Sequence, residues 1–192
     1  MLTALEGAKH AGAKIMTINP LPEAGLRNFH NPQTPRGLAG PGTDLTDLFL
    51  QIRLGGDQAL FRILNKLLLE RDGATDDAFI RDHTHGFQDF ATATRATTWD
   101  QALEATGLTR ENIEAALELI LASRSIIVCW AMGLTQHKNS VPTIQEIVNF
   151  LLLRGNIGRP GAGVCPVRGH SNVQGDRTMA SANAPPPQLL DA

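Results

Sequence analysis

Cysteine is scarce in this chain of 192 residues, which contains just Cys129 and Cys165, too few for a disulfide scaffold or a four-thiolate metal site. The pair suits a reducing compartment as readily as one optional bridge, so a cytoplasmic location is expected. Tyrosine is absent and aromatics make up 5% of the residues, which argues against stacking platforms for single-stranded nucleic acid. Neither sign of charge dominates: 17 Lys plus Arg stand against 19 Asp plus Glu, a net charge of -2. No global basic field therefore recruits nucleic acid or an anionic membrane, and any anionic ligand must be held locally. No run approaches the roughly 18 apolar residues of a membrane span, and Met1 to Ala11 has no apolar core of signal-peptide length. Neither a membrane span nor export is expected.

What is present suffices for a real core. Apolar residues are 42% of the chain, enough for one generous domain or two small ones. The run Ala13 to Ile18 is short, apolar and closed by Asn19-Pro20-Leu21-Pro22, as a buried strand stopped by prolines would be, and the residues before it read as the tail of a helix. Prolines 20, 22, 32, 35 and 41 with four glycines make residues 19–43 a long irregular connection. A second strand is expected over Asp47 to Leu54, followed by a helix capped by Asp57 with Ala59, Leu60, Ile63, Leu64, Leu67 and Leu68 on one face.

Residues 76–106 read as short helices broken at Gly86 and near Thr97, with Gly107 as terminator. Thr109 then caps a core helix striped by Ile113, Ala116, Leu117, Ile120 and Leu121. Ser125 to Trp130 reads as a buried strand that places Cys129 in the core. Thr143 to Glu146 has the form of a capping box opening a helix with Ile144, Ile147, Val148, Leu151 and Leu152 inward. The alternation of strand and helix predicts an α/β architecture with parallel strands, whose ligands gather beyond the strand carboxyl ends.

Two segments could carry chemistry. In Ala131 to Gln136, just past a strand, Gly133 would let a ligand approach the backbone; the plainer reading is an ordinary strand-to-helix turn. The stretch from Arg154 to Thr178 holds six of the 18 glycines and four arginines against one aspartate, so exposed N–H groups and guanidinium forks there suit phosphate or another bulky anion. The plainer reading is a solvated surface loop. No Walker pattern occurs, and the glycines do not follow a strand as a dinucleotide fingerprint requires. The six histidines lack zinc spacing, so no metal ligand is assigned, and Cys165 beside the basic loop has no evident base.

Together, CWAMGLTQHKN, TIQEIVNFLLLRGNIGRPGAG and VCPVRGHSNVQGDRTM resemble, in order, three successive motifs of the molybdopterin-dependent oxidoreductases of the dimethyl-sulfoxide-reductase type. The nearest branch is the formate-dehydrogenase-like alpha subunits; AKIMTINP and GGDQAL match weaker upstream features, so the resemblance runs over residues 1 to about 180. It implies Rossmann-like parallel sheet layers flanked by helices, part of a larger multidomain molybdoenzyme. Members of that family are several times longer. The chain lacks their N-terminal cysteine cluster for an iron–sulfur centre, the segment carrying the protein ligand to the metal and the C-terminal cofactor-clasping domain, so an internal fragment is expected. In the implied organisation residues 1–75 end one cofactor-binding α/β unit, 76–180 form a helical segment and a second unit with the glycine-rich loop, and 181–192 fray.

The implied cofactor is a bis-molybdopterin guanine dinucleotide with Mo, lodged in grooves of backbone amides and polar side chains. On the resemblance, Asn19 and Asp57 bind guanine, Asn19 standing where the family commonly has Asp. Met132, Gly133, Thr135 and Gln136 form a pterin-dinucleotide contact loop, and Arg168, Gly169, Asn172, Val173, Gln174 and Gly175 add further cofactor contacts. Arg168 matches the arginine that approaches the metal, where a guanidinium fork suits a carboxylate substrate such as formate. His170 lies near the metal as a candidate proton carrier, and here the chain departs from the formate dehydrogenases, which have Gln. The implied partners are a small-molecule substrate and the missing remainder of the enzyme. The rival reading is a non-catalytic remnant or interaction module without cofactor.

Overall fold

The computed structural model describes residues 2–167 and Gly169. In chain order its elements are α1 (Leu2–His10), β1 (Met16–Ile18), α2 (Ala24–Arg27), β2 (Asn28–Phe29), α3 (Pro35–Ala39), β3 (Thr43–Asp44), β4 (Leu48–Leu50), α4 (Asp57–Glu70), α5 (Asp77–His83), α6 (Phe87–Arg95), α7 (Trp99–Thr106), α8 (Arg110–Leu121), β5 (Ile127–Trp130), α9 (Met132–Thr135), α10 (Ser140–Leu153) and β6 (Gly163–Pro166). The architecture is α/β, as the alternation predicts: β1 pairs in parallel with β4, Met16 opposite Leu48 and Ile18 opposite Leu50, and β5 pairs in parallel with β6.

Asp47 fixes the entry to the first pair. Its carboxylate accepts from the Ile15 N–H at 2.8 Å and from Lys14 Nζ at 3.1 Å, and Lys9 is a third partner. Partial burial opposes ionisation, but these hydrogen bonds and the Lys9 charge overcome it and hold the carboxyl down at about 2, against 3.8 for an ordinary Asp. A lowered folded-state value means that Asp47 stabilises the fold above the unfolded pKa and loses that contribution as pH falls through the interval between the two. We expect Asp47→Asn to remove about 2 kcal/mol of unfolding free energy at neutral pH and almost none near pH 2. Urea titrations at the two pH values check this; an equal loss at both would sink it.

The connection over residues 19–43 is more ordered than its prolines suggest. It holds α2, α3 and an antiparallel pairing of β2 with β3, Asn28 opposite Asp44. Long-range side-chain bonds hold it in place: Asn28 Nδ2 donates to Asp44 Oδ1 at 2.7 Å, and Glu6 of α1 accepts from both Asn31 and Thr43 at 2.8 Å. Proline and glycine spacing carries no information about such partners.

The core lies between α4 and α10. Leu60, Phe61, Ile63, Leu64 and Leu68 of α4 are buried with Ile147, Phe150 and Leu151 of α10, and the Phe61 and Phe150 rings meet edge-on at 5.7 Å, a favoured aromatic geometry. From α8, Ile113, Ala116, Leu117 and Ile120 join this core. The short helices have the expected punctuation. Thr98 with Gln101 and Thr109 with Asn112 form reciprocal capping boxes, and Gly107 ends α7 at φ 67°, the left-handed conformation that glycine adopts without steric cost.

Three expectations are corrected. α10 begins at Ser140, before the supposed box: Thr143 Oγ1 donates back to the Asn139 carbonyl at 2.7 Å, and Glu146 turns to α4, where it accepts from Asn65 Nδ2 at 3.0 Å and pairs with Arg62 at 3.3 Å. A buried Asn65 needs a partner more than an exposed helix start needs a cap. Asp57 is the first residue of α4 rather than its cap, and Gly56 precedes it with no side-chain bond. Finally, β5 is not buried throughout, since Ile127 is 55% exposed and Cys129 is exposed too, and part of the supposed glycine loop is its partner strand β6.

Candidate functional site

The site is built at the carboxyl ends of the two parallel pairs. After β1, the Asn19 N–H extends the ladder to the Leu50 carbonyl at 3.1 Å. Its side chain is occupied locally: Oδ1 accepts from the Leu21 N–H at 3.1 Å and Nδ2 donates to Glu23 Oε1 at 3.4 Å. After β4, the Gln51–Gly56 turn delivers Asp57 to the start of α4. Gly56 lies so close to α7 that a Cβ there would stand 2.9 Å from the Ala105 carbonyl oxygen, so only glycine permits this packing. Burial raises the Asp57 carboxyl above the ordinary Asp value, while its own N–H and nearby His137 pull the other way. Among the described residues no side chain donates a hydrogen bond to it.

His137 joins the two halves of the site. It follows the α9 turn, in which Leu134 packs against the core while Met132, Gly133, Thr135 and Gln136 face outward. The first N–H groups of α9, like those of any helix, have no intrahelical acceptor, and nothing stands within 4 Å of where a Gly133 Cβ would be, so a ligand can reach this backbone. Behind the turn, β6 brings the following chain back. A Cβ on Gly169 would meet Met132 Sδ at 2.5 Å, which places Gly169 directly against the α9 turn.

The structure thus brings together Asp57, His137, the Met132 to Gln136 turn and Gly169. It does not join Asn19 to them: among the described residues no hydrogen bond or ion pair links Asn19 to that turn. Arg168, His170, Asn172, Val173, Gln174 and Gly175 lie outside the described residues. His137 was missed in the sequence, where the histidines lacked zinc spacing and His170 alone was given a role; its place directly after the Gly133 turn was the available signal. Among the described residues no three His, Cys, Asp or Glu side chains form a group that could hold a metal ion, and no helix is long and apolar enough to cross a membrane.

The return of the chain to β6 rests on Asn156, which the sequence did not single out, and on Arg154, which the sequence offered to an anion and the structure commits to backbone carbonyls instead. Asn156, fully buried, accepts from the Ile126 N–H at 2.7 Å through Oδ1 and donates to the Arg154 carbonyl at 2.7 Å through Nδ2. The Arg154 guanidinium donates to the carbonyls of Ala74 at 2.6 Å and Ser123 at 2.8 Å. Gly155 between them lies at φ 58°, and a Cβ there would strike the Asp76 carboxylate. These contacts tie the entrance of β5, the end of α10 and the start of α5 together, which sets the base from which both loops project.

No family model matches the chain. Over its whole length it is 49% identical to a protein of Mycobacterium tuberculosis named an uncharacterized oxidoreductase, of which it covers 25%. Over 71% of its length it is 39% identical to YrhE of Bacillus subtilis, which carries a formate dehydrogenase name and of which it covers 14%. In fold it is similar to acetylene hydratase from Pelobacter acetylenicus, with a TM-score of 0.65, 21% identity, and coverage of 83% of this chain and 19% of that one. The chain therefore has the α/β fold of one segment of a larger enzyme and spans about a quarter of the length of the oxidoreductase-named relatives that it matches along its whole length.

Proposed function

We propose that this chain is a segment of the cofactor-binding centre of a molybdopterin-dependent oxidoreductase of the dimethyl-sulfoxide-reductase type, formate-dehydrogenase-like, with a bis-molybdopterin guanine dinucleotide and Mo as its cofactor. The observation that carries the reading is the convergence of Asp57, the Met132 to Gln136 turn and Gly169 at the carboxyl ends of parallel strands, the usual ligand-binding edge of an α/β layer. The formate dehydrogenase name of YrhE supports it.

The donor set fits the group in part. Asp57 has acceptor capacity that no described side chain uses, and a carboxylate matches the two adjacent N–H donors of a guanine edge. Asn19 fits less well, because its amide already closes a local turn that a base would have to open. The Gly133 backbone is open enough to lie along a pterin. When bound, the cofactor would supply two-electron redox chemistry at the metal. The chain's own contributions would be to hold and orient: Asp57 at a base, the α9 turn and Gly169 along the pterin, Arg168 on an anionic substrate such as formate, and His170 as a proton carrier in the range where histidine titrates.

Metal and pterin analysis of the longer protein containing this segment, made in a molybdenum-replete host, tests the reading. Stoichiometric Mo and guanine-containing pterin are expected, with Asp57→Leu retaining markedly less of both at unchanged secondary structure. A folded protein without Mo or pterin would favour the interaction module instead.

A further inference from the structure

Cys129 and Cys165 are opposite each other in the register of the parallel pair β5–β6. Both are exposed, and the chain has no other cysteine. Register partners on neighbouring strands project from the same face of a sheet, and neighbouring strands lie about 4.8 Å apart. That spacing falls within the roughly 4.4–6.8 Å Cα separation that a disulfide spans. We propose that Cys129 and Cys165 form a vicinal dithiol site that takes a small-molecule disulfide as its reagent and closes to an intrachain bond. This proposal is independent of the molybdopterin reading.

Partial burial and the adjacent Cys165 sulfur push the Cys129 thiol up to about 11. One of the two cysteines gives up its proton to solvent, attacks one sulfur of the reagent, forms a mixed disulfide and expels one small thiolate, which takes up a proton. The other cysteine then gives up its proton to solvent and attacks the protein sulfur of the mixed disulfide. The Cys129–Cys165 bond forms, and the second small thiolate leaves and is protonated. The protein has lost two hydrogens and two electrons, and the reagent has gained both as two thiols. The closed bond would pin β5 to β6 at the base of the α9 turn.

The reduced, folded chain is incubated with glutathione disulfide, quenched in acid, and followed by intact mass and by the number of thiols that can still be alkylated. The wild type is expected to lose the mass of two hydrogens and both alkylatable thiols, to remain monomeric without reductant and to accumulate no glutathione adduct. Cys129→Ser and Cys165→Ser should each stop at one stable adduct on the remaining cysteine. Closure should also be at least about tenfold faster in the native chain than in urea, where the two sulfurs must first find each other through a long flexible loop. Persistent adducts on the folded wild type, a disulfide-linked dimer, or equal closure rates in the native and unfolded chain would each overturn the site.

Discussion

Arg154→Met should lower the unfolding free energy by about 3 kcal/mol, read from urea titrations of the folded chain. Methionine keeps much of the stem's apolar packing but supplies no donors, so the carbonyls of Ala74 and Ser123, bonded at 2.6 and 2.8 Å, lose their partner, while the Ile120 carbonyl, 3.4 Å from the guanidinium, still accepts from the Ser123 N–H at 3.1 Å. Leaving a buried acceptor unsatisfied costs about 1–3 kcal/mol, and partial access of water to this half-buried site brings the sum towards the lower end. Arg154→Lys should recover only part of the loss, since one ammonium cannot span carbonyls contributed by separate segments. A loss under about 1 kcal/mol in the methionine variant would show that these bonds merely replace bonds to water.

The other large effect concerns Arg168 in the longer, metal-loaded protein, where we expect Arg168→Lys to lower turnover on an anionic substrate about 100-fold at unchanged Mo content. Lysine keeps the charge but loses the planar two-point fork that aligns a carboxylate, and misplacement of a reacting group by about 1 Å is enough for a loss of that size. Arg168 directly precedes Gly169 in the sequence, and Gly169 packs against Met132 of the α9 turn. Wild-type kinetics in the loaded lysine variant would remove Arg168 from the substrate. His170→Gln separates a second role: if His170 carries the substrate proton, the variant loses one limb of the pH–rate profile while retaining metal. An unchanged profile would leave His170 as packing.

Much of the helical framework was legible in the sequence because its signals are local. The 3.6-residue spacing of Leu60, Ile63, Leu64 and Leu68 marks the buried face of α4, and Thr98, Thr109 and Gly107 mark helix ends by hydrogen bonds and backbone angles that close within a few residues. β1 and β4 were placed because apolar runs stopped by proline or glycine have few other uses. The glycine-rich return after α10 was not legible as a strand. Gly163 and Pro166 weaken any strand signal, and it is the parallel partner β5, far away in sequence, that makes Gly163–Pro166 extended. The Thr143 box failed for the opposite reason: a correct local pattern lost to the buried Asn65 amide, which draws Glu146 to the opposing helix.

For the site, the sequence by itself determined which residues could serve: a glycine turn after an apolar strand, an aspartate after another strand and an arginine beside a glycine. Each is a statement about chemistry at one point of the chain. Only the tertiary structure decided which of them meet. Packing of α4 against α10 brings His137 to Asp57, and the β5–β6 pairing lays Gly169 on Met132 and sets Cys129 opposite Cys165 on an exposed face. The physical reason is that hydrophobic periodicity and capping act over a turn or two of backbone, whereas strand partners are chosen by long-range pairing that no short window of sequence contains.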